Sequence, residues 1–331
     1  MPWADLDEIK QRHAGMQGGF CLLANVKKIA IDEPFEVAPG VILRPAKENE
    51  TLSIRQLLRY AARQDNPVFG YRNPYETRLE NESVSPDLSR IHTHSLLTEE
   101  YRYCVAEYTR TNVTLYRTFE VSALTLSELE PGIDISGNLA GFEFGYSFGN
   151  QQRILKEASE NDECLLTLEL SHLEDLKNVF AKFQKHRDEG IGLSPALRQF
   201  KELHAIPPSS PLRFLGYVAI LESLITHQPD KKDPYDSLTR QVRQKMLLIG
   251  RRSQLKLPYE RFGPDCNPET LWTKIYAYRS AVAHGVPIDF KGKFQMLGSA
   301  KQALDFIRDS TAAIMRHALD EPELVSDLRA C

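Results

Sequence analysis

Arg279 and His284, in the string YRSAVAHG, are the pair whose types and spacing are best suited to chemistry. A histidine moves protons near neutral pH, and an arginine fork holds phosphate oxygens through paired N–H groups. On one helix, five residues separate the two by about 140° around the axis, so they do not stack as neighbours one turn apart. They converge on a single phosphate only if the arginine curls toward the helix end or a second copy of the helix faces the first. Ser280, four residues before His284, is in register to orient the imidazole. The last turn of a helix, where the macrodipole favours the protonated form, suits an acid catalyst. By itself the Arg-x4-His spacing is non-specific, and the alternative is a helix-end histidine beside a surface arginine.

Context sharpens it. NPETLWTKIYAYRSAVAHG reads as one helix, with Asn267 as N-cap, Pro268 as first helical residue and Gly285 as C-terminal stop. Leu271, Ile275, Tyr278 and Val282 form its core stripe, and Arg279 flanks that stripe. Two helices upstream, LRFLGYVAILESLITH places Glu222 within the apolar stripe of Val218, Leu221 and Ile225. A carboxylate there needs a partner, because burying an unpaired charge is costly, unless it snorkels to water at the stripe's margin. Between these helices, Arg240 to Lys256 holds six basic residues and no acid. Arg240, Arg243, Lys245, Arg251 and Arg252 are therefore candidate phosphate contacts, against the alternative of a solvated helix face. Tyr276 is placed to stack a base, with Tyr278 and Trp272 beside it, although aromatics at helical spacing more often belong to a core.

These helices are part of a longer run. From Ser194 the chain alternates amphipathic segments with Pro-rich or polar breaks: SPALRQFKELHA with Ser194 as N-cap, the Glu222 helix, DSLTRQVRQKMLLIG closed by Gly250, the Arg279 helix, and SAKQALDFIRDSTAAIMRHALDEP. The expectation is an all-α bundle of about five helices over residues 187–331. Residues 1–186 read as a mixed α/β domain with antiparallel strands: CLLANVKKIAI and FEVAPGVILRP as strands, TLSIRQLLRYAARQ as a helix, and YRYCVAEYTRTNVTLYRTFEVSAL as paired strands turning near Thr111 and Asn112. A short helix, the strand CLLTLEL and a helix from Leu173 to His186 follow. RDEGIGLSP is the best boundary, and the fold class is α+β.

Charge divides along the same line. Residues 1–186 carry 20 Lys+Arg against 28 Asp+Glu, and 187–331 carry 21 against 17, so the helical part is the one suited to a polyanion. No run approaches the 18 or more apolar residues of a membrane span, and MPWADLDEIKQ has no signal-peptide pattern, so a soluble cytoplasmic protein without membrane association is expected. Five scattered cysteines without a CxxC pair read as reduced thiols. Neither GxGxxG after a strand nor GxxxxGK[ST] is present. His92 and His94 share a strand face, but no third ligand is marked, so no metal and no cofactor are expected. His227 and His317 read as satisfied or solvent-facing.

Over roughly residues 187–320, through AILESLI, the basic helix to LLIG, and YRSAVAHG, the chain resembles HEPN domains, in particular the Apea-like group. The resemblance implies a helical bundle that forms a homodimer or higher homo-oligomer with the Arg-x4-6-His motifs of both protomers lining one cleft, as in metal-independent ribonucleases. Arg279 and His284 then match the invariant positions, and Glu222 matches an acidic residue on an earlier helix. Ser280 stands where Asn, His or Asp is commoner. RNA carries its own nucleophile, the 2′-OH, so proton transfer and charge stabilisation suffice for cleavage to a 2′,3′-cyclic phosphate and a 5′-OH end. The implied function is an RNA endonuclease, a toxin-like effector in bacterial antiviral defence or stress response, with residues 1–186 binding a trigger or inhibitor. The alternatives are a non-catalytic HEPN dimerisation or RNA-binding module and a metal hydrolase using His92 and His94.

Overall fold

The computed structural model describes residues 3–63, 72–85, 88–109, 112–138, 141–146, 153–158, 161–186, 192–229, 232, 237–252 and 257–330. The chain is α+β, and it divides into two compact units, Met1–Phe180 and Ala181–Cys331. That division falls inside a helix, and residues 187–191 of the expected boundary lie outside the described ones.

The first unit is built on a six-stranded antiparallel sheet. Its strands are β1 (Gly18–Leu23), β3 (Phe35–Ala38), β4 (Val41–Pro45), β7 (Cys104–Tyr108), β8 (Pro131–Asn138) and β9 (Gly141–Tyr146), in the spatial order β3-β4-β7-β1-β8-β9. Strand β2 (Val26–Ile29) pairs in parallel with β10 (Leu166–Leu168), and β5 (Thr77–Ser85) forms a separate hairpin with β6 (Leu88–Ser95). Alternation assigns the two sheet faces. Phe20, Leu22, Val105, Ile133 and Ile135 point to a core closed by Ile9 of α1 (Trp3–Arg12), Ile54 and Leu57 of α2 (Glu48–Arg63), and Leu155 of α4 (153–158). On the other face, Asp134 accepts hydrogen bonds from Tyr108 Oη (2.9 Å) and from Tyr116 Oη (3.3 Å) of α3 (Val113–Ser122). Gly19 makes room for this group: a Cβ there would lie 2.4 Å from Tyr108 Oη. Arg44 is another buried charge, bridged by Glu50 in a two-bond fork of 2.6 and 2.7 Å and by Glu107.

Of the expected strand pair, the first is present as β7, Cys104–Tyr108, and the second fails from Val113 onward. β7 does not turn back on a neighbouring strand. It pairs with β1 and β4, and the segment after it is the helix α3. Leu115, Thr118, Phe119 and Ser122 are buried at helical spacing, which the β-branched residues of TNVTLYRTFEVS had masked. Asn112 precedes α3, and Thr111 lies outside the described residues.

Among its described residues the second unit is entirely helical. It contains the end of α5 (Leu170–His186), then α6 (Leu193–Glu202), α7 (Pro211–Ile225), α8 (Leu238–Arg252), α9 (Pro268–Ala283), α10 (Ala300–Asp320) and α11 (Pro322–Ala330). Helix α7 is central, packing against α6, α8, α9, α10 and α11, which explains why its sequence is apolar nearly all round. Three details depart from expectation. Gly192, at φ 73°, is the residue before α6, and Ser194 lies inside the helix instead of capping it. Gly250 lies inside α8, where Ile249 is still buried, and does not end it. Helix α11 extends the bundle past Pro322. No helix of the described residues is long and apolar enough to cross a membrane.

Candidate functional site

Local chemistry fixes both ends of α9. At its start the Asn267 side chain accepts from Thr270 N at 3.0 Å and Pro268 occupies the first helical position. At its end His284 N bonds Ser280 O, Gly285 N bonds Val282 O at 3.2 Å, and Val286 N reaches back to Ala281 O at 2.9 Å. Gly285 has φ 65°. This is a Schellman motif with His284 at the C-cap, so the backbone from which the imidazole projects is pinned.

Packing then fixes the rotation of α9. Leu271, Trp272, Ile275, Tyr276, Tyr278 and Ala281 are buried, and Val282 is half-buried. Trp272 Nε1 donates to Tyr259 Oη at 3.0 Å, and the Tyr278 ring meets Phe214 of α7 edge-on at 4.7 Å. With α9 held this way, Arg279 faces Glu222 of α7, its Nη2 3.7 Å from Glu222 Oε2. The contact is an ion pair longer than a formed hydrogen bond. The Arg279 side chain is 37% exposed and that of Glu222 13%, so the arginine is the more open partner of the two.

Glu222 Oε1 and Tyr276 Oη are both sealed from solvent and, among the described residues, neither makes a hydrogen bond of ordinary geometry. They are nonetheless neighbours: burial, then the adjacent Glu222 carboxylate, raise the proton affinity of the phenol, with Arg279 opposing. Tyr276 is 5% exposed, so its expected place as a base-stacking residue is corrected: it presents no ring face to a ligand. Sequence reasoning missed its proximity to Glu222, although its position three residues before Arg279 on the same helix face is the signal that could have found it.

His284 and Ser280 are exposed. The register expected to join their side chains joins them through the backbone, Ser280 O accepting from His284 N at 3.1 Å. Among the described residues no hydrogen bond connects the Ser280 hydroxyl or Arg279 to the imidazole. Arg279 and Glu222 are therefore brought together within one chain, and His284 stands apart at the helix end.

The basic helix is only partly a surface. Arg240 and Arg251 are exposed, and Arg243 is half-buried with Nη1 3.7 Å from Glu269 Oε1. Lys245 is corrected from a phosphate contact to a buried residue, 7% exposed, with Nζ 3.5 Å from both His227 Nδ1 and Gln241 Oε1. The side chain of Arg252 and the residues 253–256 lie outside the described set. His92 and His94 are exposed on β6 with ring centroids 6.4 Å apart, and His94 Nε2 lies 3.0 Å from Glu80 Oε2 across the hairpin. Among the described residues they belong to no set of three converging ligand atoms. His317 is buried, 3.9 Å from Glu321.

No family model, curated protein or solved structure matches the chain.

Proposed function

We propose that the helical unit is a HEPN-type, metal-independent endoribonuclease, with Arg279 and His284 as its reacting pair. The observation that carries this reading is the asymmetric Arg279–Glu222 pair at 3.7 Å: a largely shielded glutamate sets an arginine whose side chain stays more than a third exposed. An arginine held in this way is oriented but not consumed by its partner, which is what a phosphate anchor requires. His284, exposed on a pinned C-cap, is free to take the 2′-OH proton or to protonate the leaving 5′-oxygen. Because the two groups project in different directions from α9, the reading requires the α9 of a second copy to complete each site. Ser280 is exposed in the same turn and would contact the scissile phosphate instead of the imidazole. Arg240 and Arg251 supply exposed positive charge for the flanking backbone. The first unit would sense the trigger of a cytoplasmic defence or stress effector.

The exposed arginines of α8 also favour a second reading, a non-catalytic RNA-binding or dimerisation module. Incubating the full chain with end-labelled RNA in EDTA separates the two. The nuclease reading expects cleavage to 2′,3′-cyclic phosphate ends, no cleavage of the DNA equivalent, and loss of cleavage in both Arg279→Ala and His284→Ala. Cleavage that persists in both variants sinks the site, and RNA binding without cleavage selects the module.

A further inference from the structure

A buried tyrosine hydroxyl without a hydrogen-bond partner among the described residues needs a reason. Tyr276 is 5% exposed and packs among the buried residues of α9, where phenylalanine would fill the same space without a polar atom. Its Oη is sealed from solvent, and so is Oε1 of the neighbouring Glu222. One is a donor, the other an acceptor with no other partner among the described residues, and unpaired buried polar atoms are rare in native cores and call for an explanation. Glu222 faces a further difficulty in any state where Arg279 engages a phosphate: its side chain, 13% exposed, then loses part of its countercharge while one carboxylate oxygen stays sealed from water.

We propose that Tyr276 is a positioning residue of this site: its hydroxyl donates to the Glu222 carboxylate, aims the other carboxylate oxygen at Arg279, and keeps the carboxylate anchored when the guanidinium turns to phosphate. Tyr276 and Arg279 are three residues apart on α9, so both reach the same carboxylate on α7 from one helix face. Burial and the adjacent carboxylate keep the phenol protonated, hence a donor, at neutral pH. The proposal rests on the nuclease reading for its consequence in catalysis, but the anchoring bond itself is independent of it.

The test uses the full chain as Tyr276→Phe, Glu222→Gln and the double variant, measured for metal-free RNA cleavage and for thermal unfolding. A hydrogen bond to a charged group corresponds to roughly tenfold or more in an equilibrium. Tyr276→Phe is therefore expected to lower kcat about tenfold with KM within about twofold, the signature of a misaimed group and not of weakened binding. Its unfolding midpoint is expected to fall, and both effects are expected to shrink to near zero in the Glu222→Gln background. An unfolding midpoint equal to or above that of the parent overturns the proposal, because deleting an unpaired buried hydroxyl stabilises. So does a Tyr276→Phe effect that survives unchanged beside Glu222→Gln, or a coupling in unfolding with kcat untouched. If Arg279→Ala and His284→Ala cleave RNA like the parent, the nuclease reading has failed on its own, and the coupling in unfolding still decides the anchor.

Discussion

Glu222 on α7 and Arg279 on α9 face each other across the helix pair at 3.7 Å, the carboxylate shielded and the guanidinium partly open to solvent. Their unequal exposure makes the two deletions unequal. Arg279→Ala strands a shielded carboxylate and is expected to cost about 1–3 kcal/mol. Glu222→Gln leaves the arginine able to reach water and is expected to cost less than about 1 kcal/mol, as exposed pairs do. Chemical denaturation of both variants checks the order, and on the nuclease proposal RNA cleavage is expected to fall in both.

Gly285 is expected to be required for its backbone alone. A Cβ at this position meets nothing within 4 Å, but φ is 65°. Gly285→Ala is therefore expected to destabilise the helical unit by about 1 kcal/mol through conformational strain at the C-cap. On the nuclease proposal, cleavage is expected to decline further than stability, because the His284 backbone is part of the same motif. A thermal melt beside an RNA time course separates the two effects.

In the sheet unit, burial pushes the Asp134 carboxyl above its ordinary range, with Tyr108, Tyr116 and Asn112 hydrogen bonds opposing it. The folded protein therefore binds this proton more readily than the unfolded chain, so the group's contribution to stability is least favourable near neutrality and improves as pH falls through the folded value. Asp134→Asn removes that dependence. The difference in stability between parent and Asp134→Asn is expected to shift in the parent's favour from pH 7 to about pH 4, the ordinary Asp range, and a shift in the other direction would count against the assignment. Urea titrations at several pH values measure it.

Glu50 is expected to behave in the opposite sense. Burial alone would raise its carboxyl, but the Arg44 fork, the Lys47 backbone N–H and the nearby charges hold it below its usual value. Its contribution is present above the unfolded value and disappears as acid protonates it. Arg44→Ala leaves the carboxylate buried without its countercharge and is expected to cost about 3–5 kcal/mol at pH 7, diminishing toward acid pH.

On α8, exposure sorts the cations. On the proposed RNA-binding role, replacing Arg240 or Arg251 by alanine is expected to weaken RNA binding at every sequence and to lower the salt slope of log K by about one for each phosphate no longer neutralised. Lys245→Ala is expected to leave the slope unchanged and to lower stability, since its ammonium lies in the core beside His227 and Gln241. Filter binding over a salt series distinguishes these outcomes.

Local chemistry made α9 legible in the sequence: Asn267, Pro268 and Gly285 act within four residues of themselves, and each occupies the position its side chain demands. The apolar stripes of the helical half, and the need of Glu222 for a partner, were readable for the same reason. Tertiary structure decided the features that depend on distant residues. VTLYRTFEVS carries β-branched side chains yet is a helix, because β7 finds its partners in β1 and β4 and not in the next segment of chain. Ser194 and Gly250 have the types of cap residues but lie inside helices whose buried faces continue past or around them. Tyr276 and Lys245 have polar ends that suit a nucleic-acid surface, and only the packing of α7, α8 and α9 turns both inward. Caps are encoded by neighbours along the chain, whereas burial is encoded by neighbours in space.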